Sequence, residues 1–215
     1  MSAEEALEEV AAEVRVCTKC DLCLNTKNGV PGEGSPHAEV LFIGEAPGFN
    51  EDRQGRPFVG PAGHFLNELL GAVGLDRSTV FITNVVKHRP PENRDPLPDE
   101  IAACSDYLTR QIAALNPKVI VTLGRYSMAR FFPGAKISSI HGQAKKIDGR
   151  VVVAMYHPAA ALHQQSLKQT VIDDFKRAIP PALAEARRLE AEGKLGNKSE
   201  KSDDEGEPPK QLSRF

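Results

Sequence analysis

Three apolar runs that each end in a polar loop rich in glycine, proline or asparagine constrain the fold most. Predicted strands lie at residues 40–43, 80–83 and 151–155, and the loops that follow them lie at residues 44–63, 84–98 and 157–165. Helical periodicity at residues 61–73 and 99–115, and a further strand at 118–123, complete an alternating pattern. This alternation predicts an α/β fold, a three-layer αβα sandwich around a mainly parallel four-stranded sheet. Ligands of such sheets bind outside the carboxyl ends of the strands, where the three loops meet.

The remaining segments fit the same fold. Helices are predicted at residues 3–16, from Gly124 through Phe132, and at 169–192. Asp99 is a candidate cap of the helix at 99–115. Asp148 and Gly149 predict a hairpin between strands at 140–147 and 151–155. Residues 1–192 are therefore predicted to form one domain, and the polar residues 193–215 a disordered tail.

Composition restricts the class of protein. The 215 residues are 40% hydrophobic and 26% charged, which is ordinary for a globular protein. We also expect the protein to be a monomer. No apolar run reaches the roughly 18 residues of a membrane span. The acidic N-terminus lacks the features of a signal peptide, so a cytoplasmic location without membrane contact is predicted.

The charge distribution is uneven. A net charge of −2 does not by itself indicate a nucleic-acid-binding protein. Positive residues nevertheless cluster near the glycine-rich motifs, where they are compatible with a local positive groove: Arg53, Arg56, Lys87, Arg89 and Arg94.

The loop at 44–63 has the composition of a site where backbone approaches a ligand. It matches neither a phosphate-binding P-loop nor a dinucleotide fingerprint. Glu45 and Glu51 are candidate acid/base or substrate-positioning carboxylates, and Phe58 is a candidate stacking platform for a flat substrate. Alternatively, Glu51 is a solvated loop charge and Phe58 anchors the core.

Three motifs in one order carry a specific resemblance. They are GEAPGFNEDRQGRPFVGPAG from Gly44, TNVVK-x-RPPENRDP from Thr83, and HPAAAL from His157. Together they resemble the family-four uracil-DNA glycosylases, the iron–sulfur branch of that superfamily, from about Val16 to Arg177. The resemblance implies an enzyme of base excision repair that flips deoxyuridine out of single- or double-stranded DNA and hydrolyses its N-glycosidic bond.

The resemblance assigns roles to individual residues. Phe58 would stack on the flipped uracil, and Asn84 would read its edge, because one amide can donate to O4 and accept from N3–H. His157 would stabilise the leaving uracil anion at O2. Glu45 and Glu51 belong to the family's catalytic loop. Leu162 is our prediction for the wedge that fills the vacated space, with ordinary packing as the alternative.

The pocket floor is assigned in the same way. The segment from Gly44 to Gly48 would shape it. Ala46 stands where the best-known branch carries a water-activating aspartate, so the resemblance does not identify the residue that activates water. Gly48 stands where other branches carry a bulky blocker, so the exclusion of thymine, and excision of bases besides uracil, stay open.

In a chain with a predicted cytoplasmic location, four cysteines are more typical of metal ligands or free thiols than of disulfides. The resemblance implies a [4Fe–4S] cluster held by Cys17, Cys20 and Cys104, with His88 at the position that is commonly cysteine. A rival set uses Cys23, and zinc on three cysteines and a histidine is a third option. Residues 89–96 leave no room for the insertion of the covalently crosslinking relatives, so ordinary turnover is expected.

The chain ends in a short peptide, from Gln211 to Phe215, that resembles the motifs by which repair proteins bind a sliding clamp. A tail that merely ends in apolar residues is the alternative. Two other functions are alternatives for the whole chain. They are an Fe–S protein that binds nucleic acid or senses redox state without glycosylase activity, and a zinc-dependent hydrolase.

Overall fold

The computed structural model describes residues 1–195, which form six strands and eight α-helices. The strands are β1 (Glu33–Gly34), β2 (Val40–Gly44), β3 (Phe81–Asn84), β4 (Val119–Leu123), β5 (Gln143–Ile147) and β6 (Arg150–Met155). The helices are α1 (Ala3–Arg15), α2 (Phe49–Gln54), α3 (Pro61–Gly71), α4 (Pro98–Leu115), α5 (Arg125–Ala129), α6 (Ile137–Ile140), α7 (Pro158–His163) and α8 (Ser166–Ala191). None of these helices is both long enough and apolar enough to cross a bilayer.

The sheet has the order β1-β3-β2-β4-β6-β5. Its four inner strands run parallel, whereas β1 and β5 pair antiparallel at the two edges. The predicted mainly parallel α/β sheet is confirmed, but the strand count of four is wrong. The two-residue β1 is too short to give a pattern. The predicted hairpin at Asp148 and Gly149 is confirmed, and its first strand, β5, joins the sheet as an antiparallel edge strand.

The core occupies both faces of the sheet. Because successive strand side chains point to opposite faces, Phe42 packs beneath α3 and α8, while its neighbours Leu41 and Ile43 pack beneath α1 and α4. All five residues of β2 are buried, as is typical of a central parallel strand. The three-layer arrangement follows directly from this burial of both faces.

The predicted loops contain two short helices that sequence periodicity missed. α2 and α7 span only six residues each, which is too short for a periodic signal. Asp99 lies inside α4 and is not its cap. Leu97 is the N-cap, and the Glu100 carboxylate accepts from the Leu97 N–H at 2.7 Å.

Packing against the core continues to residue 195, past the predicted boundary at residue 192. Leu195 packs against the core beneath α8, and the Lys194 N–H donates to the carbonyl of Leu189 at 2.8 Å. The segment from Gln211 to Phe215 lies outside the described residues.

Candidate active site

A cavity of about 390 Å³ lies at the carboxyl ends of the parallel strands. All three loops that the sequence singled out contribute to its wall. The structure brings together the following predicted site residues as its lining: Glu45, Ala46, Gly48, Glu51, Phe58, Asn84 and His157. Gly44 lies beneath this lining, where a Cβ atom would be 2.7 Å from the Phe58 ring.

Asn84 is a buried amide with an open hydrogen-bonding position. It is the last residue of β3, pairs in register with Gly44 on β2, and is 1% exposed. Its Oδ1 atom accepts no hydrogen bond from any described residue. Since buried polar atoms are nearly always paired, an unpaired acceptor on a residue that lines a cavity indicates a ligand that supplies the donor.

A buried lysine fixes the backbone of Asn84. The Lys87 ammonium donates to the Asn84 carbonyl at 2.7 Å, to Thr83 Oγ1 at 2.7 Å and to Gln111 Oε1 at 2.8 Å. Burial lowers the pKa of Lys87 to about 7. Lys87 was counted with the charges of a local positive groove, but it is fully buried. Nothing in a local sequence pattern shows that Gln111 on α4 meets this lysine.

Phe58 lies in the cavity wall with a backbone that few residues adopt. Its φ is 51°, and its ring stacks against His157 with centroids 5.5 Å apart. A Cβ atom on Gly63 would lie 1.9 Å from the Phe58 carbonyl oxygen, so only glycine fits there. A left-handed non-glycine residue costs about 1–3 kcal/mol and persists when its surroundings fix it.

Arg77 supplies that fixation. Its guanidinium donates to the carbonyls of Phe58 at 2.9 Å and of Pro57 at 2.6 Å, and it forms an ion pair with Glu33 at 3.0 Å. Sequence reasoning missed Arg77 because it lies outside the three motifs, between α3 and β3. A lone arginine in a turn carries no signal of this role.

Glu51 lines the cavity but is occupied by backbone donors. Its Oε1 accepts from the N–H groups of Val59 and Gly60, both at 2.8 Å, and its Oε2 accepts from Gly48 at 3.1 Å. The carboxylate therefore ties α2 to the segment that carries Phe58. The predicted acid/base role of Glu51 stays a prediction.

Glu45 has the opposite surroundings. Its carboxylate accepts no hydrogen bond from a described residue, and burial, with a smaller contribution from Asp95, raises its pKa. Arg125 opposes this shift. Of the two carboxylates in the cavity wall, Glu45 is the one with both oxygens open to a ligand or water.

His157 has a defined tautomer. It is the N-cap of α7, and its Nδ1 accepts from the Ala159 N–H at 3.1 Å. The ring proton of the neutral form must therefore be on Nε2. Burial lowers the pKa of His157 to about 4, against a weaker opposing effect of Glu51. The ring is thus a neutral donor at neutral pH.

This pKa makes stability depend on pH. The folded chain keeps His157 neutral down to about pH 4, whereas in the unfolded chain histidine takes up a proton near pH 6.5. Between these values the unfolded state binds more protons, so the free energy of unfolding falls as pH falls. In urea titrations, we expect His157→Gln to reduce this slope by up to about 1.4 kcal/mol per pH unit. Equal slopes in both proteins would contradict the assignment.

Three cysteines converge between α1 and α4. Cys17 and Cys104 are buried. Burial raises the pKa of Cys20, and the nearby charge of Cys17 raises it further. Burial also raises the pKa of Cys104, with a smaller contribution from the charge of Cys20. The backbone N–H of Lys87 opposes the rise in the pKa of Cys104, and Cys17 raises the pKa of the neighbouring Tyr107 hydroxyl, so each of these sulfurs has a donor group near it. Thiols with nearby N–H and O–H donors suit a thiolate-bound cluster, whose sulfurs accept such bonds.

The fourth ligand is not determined by the described contacts. His88 is buried, which lowers its pKa, and the charge that opposes this shift is Asp52. Cys23 follows Cys20 in a 3-10 turn, its N–H bonded to the Cys20 carbonyl. Within residues 1–195 no three or more His, Cys, Asp or Glu side chains already form a single-ion site. The predicted set of Cys17, Cys20, His88 and Cys104 stays a prediction.

Leu162 lies next to the cavity in α7 and is 44% exposed. Leu162 is therefore not part of the buried core, and the wedge role and ordinary packing both stay predictions. Its neighbour His163 lines the cavity.

Comparison with known proteins identifies the family. Residues 31–179 match the model of the uracil DNA glycosylase superfamily. A type-4 uracil-DNA glycosylase of Sulfurisphaera tokodaii is 45% identical over 93% of this chain and 97% of its own length. One of Saccharolobus solfataricus is 48% identical over 80% of this chain and 84% of its own length. A type-5 enzyme of Thermus thermophilus is 34% identical over 60% of this chain and 68% of its own length. The chain therefore belongs to the uracil DNA glycosylase superfamily, in its type-4 branch.

Proposed function

We propose that the chain is a uracil-DNA glycosylase that flips deoxyuridine out of single- or double-stranded DNA and hydrolyses its N-glycosidic bond. Free uracil leaves and an abasic site remains. The observation that carries this proposal is the unpaired Oδ1 of Asn84, a residue that lines a base-sized cavity together with Phe58. Uracil supplies the missing donor through N3–H, and the Asn84 amide N–H donates to O4.

His157 stabilises the departing base. As the bond from the sugar to uracil N1 breaks, its electron pair moves onto the base, and negative charge develops on O2. The neutral imidazole donates its Nε2–H to that oxygen. Water adds to the anomeric carbon, its hydroxyl stays on the sugar, and its proton leaves through a nearby base to solvent or to uracil.

Glu45 is the candidate for that base. Its oxygens are not occupied by described donors, and its raised pKa makes it a better proton acceptor. Glu51, bonded by three N–H groups, holds the loop in shape and adds negative charge near the developing positive charge on the sugar.

Activity on uracil is tested directly. The protein is incubated with single- and double-stranded oligonucleotides that carry one deoxyuridine, and the strands are then treated with alkali. We expect cleavage at the deoxyuridine and none in matched strands with thymine. Intact uracil-containing strands after incubation with the wild-type protein would overturn the proposal.

A [4Fe–4S] cluster is the cofactor we propose, held by Cys17, Cys20, Cys104 and His88. The three thiols near the end of α1 and on α4, two of them buried, and the donor groups near them support it. When bound, the cluster would cross-link the end of α1 to α4 and, through His88, to the loop after β3 that also carries Lys87.

Three variants distinguish His88 from Cys23 as the fourth ligand of the cluster. If His88 binds iron, His88→Cys keeps the iron and sulfide content of the wild type, His88→Ala lowers it, and Cys23→Ala leaves it unchanged. Iron, sulfide and zinc analyses of the purified proteins measure this. A cluster lost in Cys23→Ala and kept in His88→Ala would establish the rival set, and stoichiometric zinc would reject the cluster.

Arg77 is expected to matter for activity without touching the base. Arg77→Ala removes the donors that hold Phe58 in its left-handed conformation. We expect kcat/KM for uracil release to fall about tenfold, which corresponds to about 1.4 kcal/mol of the strain that Arg77 supports. Steady-state kinetics measure this, with the exposed Arg188→Ala as control. Activity unchanged in Arg77→Ala would show that Phe58 is fixed by other contacts.

A further inference from the structure

An exposed aromatic ring with two arginines lies beside the mouth of the cavity. Phe49, the first residue of α2, is 53% exposed and directly follows the cavity residue Gly48. The guanidinium carbons of Arg53 and Arg89 lie 5.6 Å and 5.3 Å from the centroid of its ring. The ring thus gathers two positive charges that come from two different cavity loops.

These two charges have no internal counter-charge. Neither Arg53 nor Arg89 forms an ion pair with a carboxylate within residues 1–195. The other arginines of the same region are neutralised in the pairs Arg56–Glu33, Arg94–Glu100 and Arg125–Asp95. Since like charges held close together repel, the arrangement indicates an anion that binds from outside.

The surrounding backbone holds Arg89 in this place. Its Nε donates to Asn93 Oδ1 at 2.7 Å, and Asn93 itself lines the cavity. Glu92 and Asn93 both have a φ of 54°, so two consecutive residues of this loop are left-handed. A strained loop that presents one guanidinium is a built feature, because backbone strain persists only when its surroundings fix it.

The charge of the whole chain makes a local cation site necessary for a polyanionic ligand. The net charge is −2, so the overall field does not attract DNA. Affinity for a phosphate backbone must then come from a few well-placed cations. Guanidinium groups suit this task, because their planar donors match phosphate oxygens.

We propose that Arg53 and Arg89, positioned by Phe49, bind one backbone phosphate of the damaged DNA strand next to the flipped nucleotide. This inference rests on the proposed function and adds a subsite to it. The site recognises the phosphodiester and not the base, so it acts alike on any sequence around the deoxyuridine. Phe49 acts as a positioning residue, because it holds the two guanidinium groups together.

The salt dependence of binding tests the subsite. Fluorescence anisotropy is measured with a single-stranded oligonucleotide that carries 2′-fluoro-deoxyuridine, which resists hydrolysis, and with an all-thymine strand. For the double variant Arg53→Ala with Arg89→Ala, we expect affinity at low salt to fall about tenfold. The slope of log K against log salt concentration should lose about 0.7, the value for one phosphate on a single strand.

Matched variants separate charge from shape. The double variant Arg53→Lys with Arg89→Lys keeps the charges and should retain the slope, and Phe49→Leu should weaken binding a few-fold. Arg188→Ala, an exposed arginine on α8, is the control for a general loss of charge. In steady-state uracil release, the loss in Arg53→Ala with Arg89→Ala is expected in KM.

The outcomes are distinguishable from those of the proposed function. An unchanged slope in the double alanine variant overturns the subsite, even if the wild type releases uracil. A wild type that leaves uracil in place overturns the glycosylase activity, while a lowered slope in the variant still establishes phosphate binding. A loss of equal size in Arg188→Ala would show that net charge alone matters, and would also overturn the subsite.

Discussion

Asn84→Ala is expected to lower kcat/KM for uracil release by up to about a hundredfold. The amide is 1% exposed, and its Oδ1 has no partner among the described residues, so the proposed function assigns its hydrogen bonds to the base. Two such bonds to a base edge contribute about 1–3 kcal/mol of recognition together, and each 1.36 kcal/mol is a factor of ten. Steady-state and single-turnover kinetics on a deoxyuridine oligonucleotide measure the loss.

A modified substrate shows whether the loss comes from base reading. N3-methyl-deoxyuridine lacks the N3–H that Oδ1 accepts, so the wild type should discriminate strongly against it. Asn84→Ala should discriminate only weakly, because the two changes remove the same interaction. Gln169→Ala, which alters an exposed amide on α8, should behave as the wild type. Full discrimination by Asn84→Ala would assign the reading of uracil to another residue.

His157→Ala is expected to lower kcat by about a hundred- to a thousandfold, the usual cost of losing one donor to a developing anion. The Ala159 N–H fixes the Nε2–H tautomer, and the low pKa keeps the ring neutral, so the donor is ready at neutral pH. Rapid-quench measurement of the single-turnover rate at saturating enzyme isolates the bond-breaking step.

A substrate with a better leaving group shows whether His157 stabilises the uracil anion or only positions the base. Fluorine at C5 already stabilises the uracil anion, so the deficit of His157→Ala should be smaller for 5-fluoro-deoxyuridine than for deoxyuridine. His37→Ala, in an exposed turn, is the control and should leave both rates unchanged. An equal deficit for the two substrates would show that His157 acts on the position of the base.

Much of the fold and of the cavity could be predicted because the relevant signals are local. Apolar runs predict the inner strands, and the loop composition after Ile43, Thr83 and Met155 predicts the wall of the cavity. The roles of Phe58, Asn84 and His157 came from the resemblance of their motifs to a known family. The type-4 relatives confirm that family.

The supporting contacts could not be predicted, because they join residues that are distant in sequence. Arg77 reaches the carbonyl of Phe58, 19 positions away, and Lys87 reaches Gln111, 24 positions away. No periodicity records such pairs. For the same reason the occupied state of Glu51 is invisible in the sequence: its partners are backbone N–H groups, which every residue other than proline carries.

The pairing of Gly44 with Asn84 has a consequence for how this site can change during evolution. Both residues end their strands in the same register, and a Cβ atom on Gly44 would lie 2.3 Å from the Asn84 Oδ1. Insertions within the loops that follow these strands leave this pair intact. A shift of one residue between β2 and β3 would instead turn the amide to the other face of the sheet. Loop length is therefore free to diverge among descendants of this chain, whereas the alignment of these two strands is not.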